Sequence, residues 1–122
     1  ALNRQGKPMN GSTILFLGVA YKADINDARE SPALLVMEEC ANKRAYVLYH
    51  DPYIPEVVDE HGKKWTGVAL TDELLESADC VVFTTAHSCF DIDHIVEKAK
   101  LVVDLKNMVK TVNIENGKVF KL

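Results

Sequence analysis

No G-x-G-x-x-G and no C-x-x-C occurs among the 122 residues, and glycine as a whole is scarce at six. The first absence removes the bare-backbone cradle with which a strand-turn-helix unit normally takes a dinucleotide pyrophosphate. The second, with only Cys40, Cys80 and Cys89 and four scattered histidines, leaves neither a disulfide framework nor a zinc site, and a reducing, cytoplasmic setting fits such cysteine usage. Missing too is any apolar run near the roughly 18 residues that a bilayer crossing needs, and the first residues show no basic stretch followed by an apolar one. The sequence therefore reads as a soluble chain that is not exported and has no membrane partner. Excess positive charge is likewise absent. With 14 basic against 18 acidic side chains, a net charge of −4, no broad cationic face awaits a nucleic-acid backbone.

What the chain does have is apolar material, 48% of its residues, enough for one core. Thr13-Ile14-Leu15-Phe16-Leu17-Gly18 is short, continuously apolar and rich in strand formers, the pattern of a strand buried on both faces. Tyr46 to Tyr49, Cys80 to Thr85 and Leu101 to Leu105 predict further strands, with a last short one over Lys118 to Leu122. Ser31-Pro32 pairs an N-cap with a first-turn proline and starts a helix whose Leu34, Met37 and Ala41 share one face. Thr71 or Asp72 caps a short helix running to Ala78, and Asp91 caps another over Ile92 to Lys98. The stretch containing Pro55, Gly62 and Gly67 shows no clear pattern.

Strands alternating with helices predict right-handed βαβ units. The expected fold is therefore an α/β, Rossmann-like three-layer domain with a mostly parallel sheet and helices on both faces. Ala1 to Gln5 reads as the last turn of a helix, with Gly6 as its cap and Pro8 beyond. Residues 1–11 are thus expected to be the end of an interdomain helix and a linker, and 12–122 the domain proper.

In sheets of this kind ligands sit beyond the carboxyl ends of the strands. Those ends carry Tyr21 and Lys22, then His50 and Asp51, then His87 and Ser88, then Asp104, Lys106 and Asn107. Lys22 and Arg29, near a helix start, can meet anionic oxygens from separate directions, or pair with Asp24, Asp27 and Glu30 as a solvated loop network. Asp51 stands where a Rossmann fold keeps its ribose-binding carboxylate, but Asp51-Pro52 is also a common turn starter, and the turn is the preferred reading. His87, Ser88 and Cys89 bring a hydroxyl and a thiol beside an imidazole, yet sequence neighbours rarely form such a pair and no third orienting residue stands out. Cys40 and Cys80 read as small core hydrophobes, and Trp65 suits a core or a contact surface equally.

Four segments together carry a resemblance: Gly18-Val19-Ala20-Tyr21-Lys22, Asp24-Ile25-Asn26-Asp27-Ala28-Arg29-Glu30-Ser31-Pro32, Tyr49-His50-Asp51-Pro52 and Val103-Asp104-Leu105-Lys106-Asn107. They resemble the C-terminal, UDP-binding domain of the UDP-glucose/GDP-mannose dehydrogenase family, from the linker to the last strand. The resemblance implies part of an NAD-dependent UDP-sugar 6-dehydrogenase that oxidises the sugar C6 alcohol to a carboxylate in two steps. NAD would be held mainly by an N-terminal Rossmann domain, and the catalytic cysteine and dimer contacts would lie in a central helical domain. Both domains would be partners of this one in a homo-oligomeric enzyme.

By motif position, the resemblance assigns Lys22 to the UDP moiety, Tyr21 to the nucleotide-sugar pocket and Arg29 to the NAD pyrophosphate. It assigns Lys106 to the nucleotide, where many members carry an arginine; lysine keeps the charge and loses the planar fork. Cys89 matches no catalytic position, so no catalytic residue is expected and the isolated chain is expected to be inactive. The Tyr49 to Tyr53 and His87 to Asp91 stretches look more like members acting on UDP-N-acetylhexosamines than on UDP-glucose. The competing readings are a non-catalytic receiver-like module and an oligomerisation module. A receiver needs acidic residues after the first strand and an aspartate closing the third, where this chain has Gly18-Val19-Ala20 and Thr84-Thr85-Ala86.

Overall fold

A computed structural model describes residues 11–19, 32–58, 62–84, 90–104 and 119–121, with backbone alone for Pro32 and 119–121. The apolar run Thr13–Leu17 forms β1, and its last four residues are buried because sheet neighbours cover both edges and helices cover both faces. β2 (Tyr46–His50), β5 (Cys80–Phe83), β6 (Val102–Asp104) and β7 (Val119–Lys121) complete a five-stranded sheet in the order β2-β1-β5-β6-β7. Every pair in it is parallel. The chain leaves β1 for β2 on one side and later fills the other side with β5, so the topological switch point lies between β1 and β5.

Strand periodicity sorts the core into two layers. Ile14, Phe16, Cys80 and Val82 face α1 (Pro32–Asn42) through Ala33, Leu34 and Met37. Leu15, Leu17, Val81 and Phe83 face α2 (Asp72–Ser77) and α3 (Ile92–Lys98) through Leu75, Ile95 and Val96. The expected parallel sheet with helices on both faces is what the chain forms.

Local signals explain where the helices begin and end. Thr71 Oγ1 accepts from Leu74 N at 3.1 Å and caps α2, and Asp91 Oδ1 accepts from His94 N at 3.3 Å and caps α3. α1 closes in a Schellman motif: Ala45 N donates to Cys40 O at 3.1 Å, Arg44 N to Ala41 O at 2.9 Å, and Arg44 takes the left-handed conformation with φ 67°. Ser31, and the Ala1 to Pro8 segment expected to end a helix, lie outside the described residues.

The stretch that lacks a clear pattern holds a hairpin. β3 (Glu56–Val58) and β4 (Lys64–Thr66) pair antiparallel, with Val57 opposite Trp65. Strands of three residues are too short to write an alternation that the sequence can show. Trp65 is 7% exposed and joins the α1-side core, which settles its two readings for the core, and the Lys63 ammonium lies 4.0 Å from its ring centroid. The segment after the hairpin runs back along β2, where Val68 N donates to Tyr49 O at 2.9 Å.

Candidate functional site

At the switch point the end of β1 is tied to both neighbouring strands. Gly18 takes φ 97°, a conformation that favours glycine, and its N–H donates to His50 O at 2.9 Å. Val19 N donates to Asp51 Oδ2 at 2.8 Å, while Asp51 Oδ1 accepts from Tyr53 N at 2.8 Å. From the β5 side, Thr84 N donates to Leu17 O at 3.1 Å, and the Thr84 hydroxyl donates to the carbonyls of Leu17 and Gly18. Asp51 is 6% exposed, and both of its carboxyl oxygens accept from backbone N–H groups. The turn reading of Asp51 holds, and the bond to Val19 is a second task that the sequence did not reveal.

Asp104, closing β6, is fully buried beside Phe83 of β5 and Lys121 of β7 in the register. Tyr21, Lys22, Arg29 and Lys106 lie outside the described residues, as do His87, Ser88, Cys89 and Asn107. The cysteines that are described behave as core groups. Burial pushes the Cys80 thiol up to about 12, and burial with the neighbouring Glu39 charge raises Cys40, so both thiols stay protonated at neutral pH.

A cleft of about 320 Å³ opens at the same sheet edge, beside β2 and the first turns of α2 and α3. Leu70, Leu75 and Ile95 make its apolar part, and His50, Asp72, Asp91 and His94 supply polar groups. His50 Nδ1 lies 2.8 Å from Val68 O, which only accepts, so Nδ1 carries the proton of that hydrogen bond. The Phe90 ring stands 6.4 Å from both the His50 and Phe83 rings, tilted to each. His94 Nε2 meets Asp72 Oδ1 at 2.6 Å. That hydrogen bond and its charge hold His94 above the usual imidazole value and Asp72 below the usual carboxylate value. His94 was not singled out from the sequence, since first-turn position alone says nothing of a partner 22 residues away. Among the described residues no cluster of His, Cys, Asp and Glu could hold a metal ion, and no helix is long and apolar enough to cross a membrane.

Comparison with known proteins agrees with this architecture. Residues 15–111 match the model of the UDP-glucose/GDP-mannose dehydrogenase family, UDP binding domain. The chain is 28% identical over 115 residues to a UDP-glucose 6-dehydrogenase of Rickettsia bellii, covering 88% of this chain and 26% of that enzyme. It is 31% identical over 104 residues to a UDP-N-acetyl-D-mannosamine dehydrogenase of Methanococcus vannielii, covering 79% of this chain and 23% of that enzyme. The solved UDP-D-ManNAc dehydrogenase of Pyrococcus horikoshii superposes with a TM-score of 0.76 at 25% identity, over 98% of this chain and 27% of that one. The chain thus spans about a quarter of the length of the relatives it matches.

Proposed function

The chain belongs to the UDP-glucose/GDP-mannose dehydrogenase family as its UDP binding domain, and from that premise we propose that residues 12–122 form the C-terminal nucleotide-sugar-binding domain of an NAD-dependent UDP-sugar 6-dehydrogenase. The whole enzyme oxidises the sugar C6 alcohol to a carboxylate in two steps, works as a cytoplasmic homo-oligomer, and keeps its catalytic cysteine on another domain. The observation that carries this reading is the family match, which spans Tyr21, Lys22, Arg29 and Lys106 together with the switch-point strands.

In this reading Lys22 and Lys106 place positive charge against the UDP phosphates, Tyr21 lines the nucleotide-sugar pocket, and Arg29 reaches the NAD pyrophosphate. The dinucleotide itself does not fit a cradle at the end of β1, where the amides of Gly18 and Val19 are already given to His50 O and Asp51. That supports holding NAD mainly on another domain of the proposed enzyme. Relatives acting on UDP-glucose and on UDP-N-acetylmannosamine match this chain to similar degrees, consistent with the sugar being chosen largely outside it.

Calorimetric titration tests the proposal. Once circular dichroism has verified that it is folded, the chain is expected to bind UDP, to bind it more weakly as Lys22→Ala, and to reduce no NAD with any UDP-sugar. A folded chain with no UDP binding, alone or in the full-length protein, would overturn the nucleotide-sugar reading in favour of an oligomerisation module.

A further inference from the structure

Two side-chain contacts cross from α2 to α3. Lys98 Nζ lies 3.7 Å from Glu76 Oε1, and one turn earlier on both helices His94 Nε2 lies 2.6 Å from Asp72 Oδ1. An imidazole, unlike an ammonium or a carboxylate, ordinarily changes its charge between pH 5 and 8, so the second contact is the one that neutral pH can switch. It is also the one at the cleft: His94 and Asp72 both line it and both are partly exposed, whereas Glu76 and Lys98 stand outside its lining. The helices it joins are too short to hold their own positions. α2 has six residues and α3 seven, well below the roughly 12–15 that a helix needs to persist by itself in water. Leu75, Ile95 and Val96 pin their inner faces to the sheet, and the Thr71 and Asp91 side chains cap each helix on itself. The His94–Asp72 contact instead ties first turn to first turn, beside the apolar wall made by Leu70, Leu75 and Ile95.

We propose that His94 and Asp72 form a pH-operated clasp on the cleft: protonated His94 holds the first turns of α2 and α3 together at the rim, and neutral His94 lets them part and solvent reach the apolar wall. The physical reason is that a hydrogen bond between two charged groups is roughly twice as strong as one between neutral groups. The charges around His94 set the direction. Asp72 from α2 and Asp91 at the start of α3 favour the imidazolium, and Lys98, one turn on and paired with Glu76, opposes it. Glu73 and Asp93 add negative charge to the same first turns, and His50 of β2 lines the cleft with its Nδ1–H given to Val68 O. The hydrogen bond to Asp72 and the Asp72 charge hold His94 above its ordinary 6.5, so the clasp is shut at mildly acid pH and loosens as pH climbs through the raised value.

Methyl NMR in the presence of a neutral, soluble nitroxide reads how far solvent reaches the Leu75 and Ile95 side chains, each 1% exposed. In the wild-type chain the relaxation of their methyls is expected to rise about twofold from pH 5.5 to 8.5, with the midpoint at which the His94 ring protons titrate. His94→Gln, which hydrogen-bonds without a charge, is expected to show the higher value at every pH. His50→Gln, which removes the other imidazole lining the cleft, is expected to keep the wild-type rise. The Met37 methyl, buried in the opposite core layer, is the reference and is expected not to respond. A flat wild-type profile would overturn the proposal, as would a rise that persists in His94→Gln or disappears in His50→Gln. A parallel rise at Met37 would overturn it too, by showing that the whole fold loosens and not the cleft.

Discussion

His94 Nε2 and Asp72 Oδ1, 2.6 Å apart, join the first turn of α3 to the first turn of α2 at the rim of the cleft. The bond raises His94 above its ordinary 6.5 and lowers Asp72 below its ordinary 3.8. A raised histidine stabilises the fold fully below its unfolded pKa, and that contribution disappears as pH climbs through the folded value; a lowered aspartate stabilises above its unfolded pKa and fails as pH falls through the folded one. The pair is therefore expected to be at full strength between about pH 3.8 and 6.5. Thermal melts of wild type and His94→Gln across pH should differ most inside that window and converge above it. A constant difference from pH 5 to 9 would show that His94 acts by packing alone.

Arg44 closes α1 with φ 67°, where a side chain crowds its own carbonyl. Arg44→Gly removes that strain at a position where the Schellman motif prefers glycine, and should stabilise the chain by about 0.5–1 kcal/mol. A rise in melting temperature checks this; a fall would mean that the arginine side chain contributes more than the strain costs.

Gly67 lies where an added Cβ would stand 3.2 Å from the Tyr49 ring and 3.3 Å from Pro55 O. The ring cannot yield easily, because Tyr49 is buried and its hydroxyl donates to Ile54 O at 3.1 Å. Burial pushes that phenol up to about 12, so it remains a donor at all ordinary pH. Gly67→Ala is expected to cost about 1–3 kcal/mol by overpacking. In Gly67→Ala/Tyr49→Leu, which opens space at the ring, the alanine should cost measurably less, and urea melts of the four proteins in the cycle read the difference.

Met37 and Leu75 sit in different core layers, on opposite faces of the sheet. Each truncation to alanine should cost about 2–5 kcal/mol, and the double variant should lose the sum to within about 0.5 kcal/mol. Strong non-additivity in chemical denaturation would mean that the layers communicate through the sheet.

Lys22→Ala in the full-length enzyme is expected to raise KM for the UDP-sugar more than KM for NAD, and Arg29→Ala the reverse. In the proposed reading each variant would lose one charge-assisted phosphate contact, worth about 1.5–3 kcal/mol, or roughly a tenfold to 150-fold loss in affinity. Steady-state kinetics with each substrate varied in turn decides it. Unchanged kinetics with a lowered melting temperature would assign both residues to a structural loop network.

Elements whose cause is local were legible in the chain itself. A strand covered on both faces must be apolar at every position, which marks β1 and β5 without reference to anything else. A helix start leaves unpaired N–H groups that a nearby side chain must satisfy, which marks Thr71 and Asp91. The β3–β4 hairpin escaped because three residues carry too little periodicity, and Trp65 because burial depends on what folds over it. Asp51 showed its turn, since Tyr53 is two residues on, but not its bond to Val19, 32 residues back. His94 and Asp72 likewise sit in separate first turns that only the stacking of α2 beside α3 brings within 2.6 Å. Sequence thus determined the groups whose partners are chain neighbours, and the order of strands in the sheet decided the rest, because a bond across tens of residues exists only once the topology has placed both of its ends.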